Sequence, residues 1–298
     1  MSVTNDEGAI DFVLYRYTPS IPAAAVFVAI FLFLGIVYTI RLIQTRTYYF
    51  VPFLVGLLFE CAGYIARIFS HFDTKALGPY IVQTMLILVA PPLFAASIYM
   101  TLGRVIVALD ARKASIVPVR FLTKIFVVGD VISFLLQCGG GGYMAAGTLS
   151  AMTTGANIVI SGLAIQLLFF GLFVIVSAVF HWRVRMQSEY KPVSSPHGQG
   201  LQKSLEPIMW ALYVACILIL VRSIFRVIEF AEGNDGFVMK NEYFLYVFDA
   251  CLMALAGITL AVVYPGSFLT KEGSKRDSDL QLMSSEETYH QAGTYPSV

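Results

Sequence analysis

The chain has 298 residues, 57% of them hydrophobic and only 13% charged, with a formal net charge of +1 and a mean hydropathy of +0.74. A soluble domain carries about a quarter charged residues, so this composition excludes one and points to a polytopic membrane protein. The near-neutral balance averages an asymmetric distribution and decides nothing by itself.

In chain order, residues 1–21 read as a short extracytosolic segment. Asp6, Glu7 and Asp11 stand where a signal peptide would be basic. About twenty apolar residues cross one hydrocarbon core, and seven windows qualify, roughly 22–40, 50–69, 80–103, 121–143, 157–180, 208–228 and 243–263. The second holds Glu60 and Arg67. The third holds Pro91-Pro92, which removes two backbone donors and leaves the carbonyls near residues 87 and 88 incompletely paired. Asp130 and Gln137 lie in the fourth, ahead of Gly139-Gly140-Gly141-Gly142. Those glycines lack a following Lys-Ser/Thr element and a strand context, so close helix packing or a helix end explains them better than a phosphate loop. Gln166 lies in the fifth window, Arg222, Arg226 and Glu229 in or beside the sixth, and Asp249 in the seventh. Residues 181–207, with Lys191-Pro192-Val193-Ser194-Ser195-Pro196, read as a flexible connector, and 266–298 as a disordered polar tail. The fold class is therefore all-α: one seven-transmembrane-helix bundle over residues 22–265, with no soluble module.

Charge placement orients it. The loops after spans one, three and five, with the tail, hold thirteen Lys and Arg; the opposite side holds Arg16, Lys75 and Lys240. Positive-inside bias predicts an extracytosolic N-terminus and a cytosolic C-terminus. The basic loops suit anionic lipid headgroups rather than nucleic acid. All four cysteines fall in spans, so no disulfide framework is expected.

A charged side chain at membrane depth is costly unless paired, hydrated or turned into the bundle. Counting at 1.5 Å per residue, Glu60 and Asp130 fall about 14 Å from the cytosolic edge, with Gln166 at a similar level. Arg222, Asp249 and Gln137 share a depth of about 9 Å from the outer edge, which makes an Arg222–Asp249 pair with Gln137 beside it reasonable. Arg67 and Arg226 fall near the outer boundary. Glu60 shares a helix face with Arg67, and Arg222 and Arg226 share one with Glu229. Two readings follow. One is a polar chamber open to the outer leaflet, with arginines at its mouth and Glu60 and Asp130 deeper. The other is a set of interhelical locks, with Arg67 and Arg226 snorkelling to the surface.

The chemistry excludes most enzymes. His71, His181, His197 and His290 lie in loops or at span edges, away from the Glu60–Asp130 level, and neither HExxH nor a nucleophile elbow occurs. No metal or cofactor is expected. A heptahelical receptor or lipid sensor remains an alternative, although span three ends Leu102-Gly103-Arg104-Val105, without the acidic-Arg-aromatic triplet such receptors carry there.

Phe59-Glu60-Cys61-Ala62-Gly63-Tyr64-Ile65-Ala66-Arg67, Ala95-Ala96-Ser97-Ile98-Tyr99-Met100, and Asp130-Val131-Ile132-Ser133-Phe134-Leu135-Leu136-Gln137 with its glycines open an ordered set of motifs. Gly162-Leu163-Ala164-Ile165-Gln166, Arg222-Ser223-Ile224-Phe225-Arg226-Val227-Ile228-Glu229, Glu242-Tyr243 and Phe248-Asp249 complete it. In this order they resemble the fungal RTA1-like family of lipid-translocating exporters, over roughly residues 20–265. Span seven ends Tyr264-Pro265 where members of that family often have His-Pro, which leaves any role of that histidine without a counterpart. The resemblance implies resistance to toxic amphiphiles, export or flipping of sphingoid long-chain bases and, in one branch, porphyrin or haem movement. It implies residence in the plasma membrane, with an endomembrane as the alternative.

The expected function is translocation of an amphiphilic lipid, foremost a sphingoid base whose amine pairs with Glu60 or Asp130 while its tail lies on apolar helix faces. Arginines at a chamber mouth would instead suit a phosphate or carboxylate, which keeps phospholipid and porphyrin open. The substrate set is Glu60, Arg67, Asp130, Gln137, Gln166, Arg222, Arg226, Glu229 and Asp249. No ATP-binding module is evident, so directional export would draw on a gradient or a partner. The sequence carries no signal for or against a homo-oligomer.

Overall fold

A computed structural model describes residues 20–72, 77–108, 118–144, 148–190, 196–232 and 241–266. Within these residues the chain forms helices α1 (Ile21–Thr45), α2 (Val51–Phe72), α3 (Leu77–Ala108), α4 (Val119–Met144), α5 (Leu149–Tyr190), α6 (Pro196–Glu232) and α7 (Glu242–Val262). A 3₁₀ turn at Tyr48–Phe50 leads into α2. All seven helices are long and apolar enough to cross a membrane. Apart from residues 20, 21 and 266, the expected N-terminal segment and C-terminal tail lie outside the described residues.

The outer surface is apolar and the interior is partly polar, the distribution that lipid favours. Phe33, Ile43, Leu135, Ile175, Ile217 and Val262 are exposed, whereas Glu60, Arg67, Arg222 and Asp249 are buried. In α1 the buried face is Ala24, Phe31, Gly35 and Tyr38, the spacing of one helical stripe. Successive helices pack side by side, and α7 closes the ring between α6 and α1. Helix α3 also touches α5 and α6, which places it toward the middle.

The glycines of α4 do not end it. The helix runs through all four to Met144, and Gly140 faces Gly155 of α5. A Cβ on Gly140 would stand 2.7 Å from the Gly155 carbonyl oxygen; one on Gly162 would stand 2.8 Å from that of Ser133. Small residues thus let the two backbones approach, the packing that substitutes for hydrophobic association within lipid.

One expectation is corrected. The connector assigned to 181–207 is helical at both flanks, since α5 continues to Tyr190 and α6 begins at Pro196; only 191–195 lie outside the described residues. Polar residues such as Arg183 and Arg185 end a membrane span without breaking a helix, and Pro196 sits at the helical position where proline is tolerated best. At 42 residues, α5 is about 63 Å long, twice the thickness of a hydrocarbon core of about 30 Å.

Candidate functional site

The polar residues divide into two buried groups. The larger lies between α2, α6 and α7, toward the end of the bundle at which Ser20 lies. There Arg67 Nη2 donates to Glu242 Oε1 at 2.9 Å, and Arg67 Nε donates to Tyr246 Oη at 3.1 Å. The Ser20 amide donates to the same Glu242 oxygen at 2.8 Å, tying α1 to α2 and α7. One turn deeper, Arg222 Nε donates to Asp249 Oδ1. Arg226 pairs with Glu229 at 2.6 Å and reaches Asp249 Oδ2 at 3.8 Å. The α7 segment Tyr246–Cys251 is wound as a π-helix, and both Tyr246 and Asp249 are buried within it. Such a widened turn changes the angular spacing of side chains along a helix.

Arg222 has a further acceptor. Its Nη2 donates to the Ile87 carbonyl at 2.8 Å. Pro91 has no N–H for that carbonyl, so a guanidinium from α6 replaces the missing helical donor. The proline pair thus prepares an acceptor, and the arginine satisfies it together with Asp249.

Glu60 lies within Coulombic reach of Asp249, Arg222 and Arg226. It is fully buried, yet neither carboxylate oxygen has a hydrogen-bond partner among the described residues. The Tyr64 hydroxyl, one turn along α2, and Asp249 Oδ2 are also without one.

The second group joins α3, α4 and α5. Tyr99 Oη donates to Asp130 Oδ2 at 2.9 Å, and Asp130 Oδ1 has no hydrogen bond among the described residues. Phe126, Phe170 and Phe173 surround Tyr99, with centroids from 4.4 to 6.1 Å. Gln137 Nε2 donates to Gln166 Oε1 at 2.9 Å.

The expected Arg222–Asp249 pair is present. Gln137, expected beside that pair, donates its amide to Gln166 across the α4–α5 contact. The open mouth and the snorkelling arginines are corrected. Arg67 is 1% exposed and Arg226 4%, because α2 and α6 run past them to Phe72 and Glu232 and carboxylates meet them inside. Tyr99, Tyr246 and Glu242 fall outside the polar set expected from sequence, the tyrosines because hydropathy counts the ring as apolar and Glu242 because it borders its span. Tyr264 is a structural group, its hydroxyl 2.6 Å from Thr47 Oγ1. Among the described residues, no cluster of three or more His, Cys, Asp or Glu offers a metal site.

Residues 53–272 match the family model for RTA1 like protein. The chain is 37% identical to Protein RTM1 of Saccharomyces cerevisiae, over 89% of this chain and 95% of that protein. It is 34% identical to Protoporphyrin uptake protein 1 of the same yeast, over 89% and 94%. It is 27% identical to the yeast Sphingoid long-chain base transporter RSB1, over 78% and 69%. No solved structure matches it.

Proposed function

The chain belongs to the RTA1-like family, an integral membrane family and not one of enzymes, and from that premise we propose that it translocates amphiphilic lipids, with a cationic long-chain base as cargo. The observation that carries this reading is Glu60, a fully buried carboxylate with both oxygens unpartnered among the described residues. An amine would supply the missing donors and charge, while its alkyl tail stays against apolar helix surface. Asp130, with one oxygen unpartnered, is the second candidate contact. Arg67, Arg222, Arg226, Glu229 and Asp249 hold the helices around Glu60, and Gln137 with Gln166 joins α4 to α5.

The engagement of all three arginines with carboxylates argues for a cationic headgroup over an anionic one. Porphyrin movement is the second reading. It is favoured by the greater identity to the porphyrin uptake protein than to the long-chain base transporter. The proposed setting is the plasma membrane, with the N-terminus outside and the basic loops facing anionic cytosolic headgroups.

The test is leaflet exchange of labelled sphingoid base, phospholipid and porphyrin in sealed liposomes bearing the purified full chain. The expected result is base exchange at least about tenfold above protein-free vesicles, lost in Glu60→Gln and reduced in Asp130→Asn. Exchange of porphyrin alone would select the second reading. Specific binding without exchange of any probe would make the protein a lipid sensor and overturn translocation.

A further inference from the structure

The larger buried group, between α2, α6 and α7, holds three arginines, and each has its own carboxylate: Arg67 with Glu242, Arg222 with Asp249, Arg226 with Glu229. Glu60 is the fourth carboxylate and has no counter-charge of its own among the described residues. From α6, Arg222 and Arg226 act on it, and from α7 Asp249; Tyr64 and Arg67 share its helix. The other helices packed on α2 are α1 and α3, whose only charged side chains are Arg41 and Arg104, near the opposite end of the bundle. An ionised, fully buried carboxylate without a hydrogen bond is costly by several kcal/mol. One positive charge must therefore accompany Glu60 whenever it is sealed in this way.

We infer that Glu60, with the oxygens of Tyr64 and Asp249 that make no hydrogen bond among the described residues, forms a site for one exchangeable monovalent cation, filled by a proton when no ligand is bound and by an ammonium headgroup when an amphiphile enters. This rests on the amine-translocation reading and adds its coupling. The balance is one for one: the entering ammonium meets a carboxylate, the carboxyl proton leaves to water, and the net charge of the site is unchanged. Three surrounding ion pairs keep the local charge at zero in both states, so the two cations exclude each other. A gradient of protons would then drive amine movement in the opposite direction, which supplies an energy source to a chain without a nucleotide-binding motif.

The test is equilibrium binding of an N,N,N-trimethylated sphingoid base to the purified full chain in detergent, across pH. That probe is a permanent cation, so any proton exchanged belongs to the protein. The dissociation constant should fall about tenfold for each unit rise in pH while the unliganded site is protonated. Glu60→Asp, which keeps the acid, should retain the slope, and so should Asp130→Asn. Glu60→Gln should bind more weakly with a flat profile, its folding checked by thermal unfolding. A flat profile in the wild type would overturn the exchange and leave amine translocation standing. A slope kept by Glu60→Gln and lost in Asp130→Asn would move the site to Asp130 and overturn the assignment to Glu60. No binding of the probe or of its unmethylated parent base at any pH, with the chain folded, would overturn both.

Discussion

Arg222 is the residue on which most of the buried group between α2, α6 and α7 depends. It satisfies Asp249 and the carbonyl that Pro91 leaves open, so its removal strands an acid and a backbone acceptor together. We expect Arg222→Met to lower stability by about 3–5 kcal/mol, read by thermal unfolding in detergent. Arg222→Met with Asp249→Leu should be milder than either change alone, because no buried charge is then left single. Tyr264→Phe loses the hydroxyl contact to Thr47. It should cost about 1 kcal/mol and leave lipid exchange intact, since the group is a structural tie. Single residues are legible in the sequence where charge is decisive: depth along the spans alone matches Arg222 to Asp249. Tyr99, the partner of Asp130, is not legible in this way, because a tyrosine reveals its polarity only when its hydroxyl reaches an acceptor.

At the scale of elements, the α4–α5 contact and the proline segment of α3 make opposite uses of special residues. Gly155 is in close contact, since a Cβ there would lie 2.6 Å from the Gly140 oxygen. Gly155→Val should force the helices apart, destabilising by about 1–3 kcal/mol or abolishing monodisperse protein on size exclusion. A Cβ on Gly142 would meet nothing within 4 Å, so Gly142→Ala should be neutral or raise stability by up to about 1 kcal/mol through helix propensity. Pro91→Ala would return an N–H to the Ile87 carbonyl and set it in competition with Arg222. The expected outcome is a weaker dependence of stability on Arg222, read as a smaller loss for Arg222→Met in that background. The extents of α5 and α6 are less legible in the sequence. Arg183, Arg185 and Glu206 mark where the membrane ends, whereas a helix ends only where backbone geometry fails.

At the scale of the molecule, the seven described helices close a ring whose outer surface is largely apolar and whose buried charges include Glu60, Arg67, Arg222, Arg226, Glu229 and Asp249. The loop charges predict that a tag on the N-terminus of the protein in intact cells is accessible from outside and one on the C-terminus only after permeabilisation; the reverse would overturn the proposed orientation. The sequence by itself determined the class of protein, the seven spans and the residues whose charge sits at membrane depth, because hydropathy and the cost of burying charge are local and additive along the chain. Beyond the Arg222–Asp249 pair, only the tertiary structure decided which charges are spent on one another. Pairing depends on which helix faces turn inward, on the π-turn around Asp249 and on a proline carried by a different helix from the arginine it serves. It therefore took the assembled bundle to turn Arg67 and Arg226 from residues at an open mouth into buried locks, and to leave Glu60 as the acid of that group without a counter-charge of its own among the described residues.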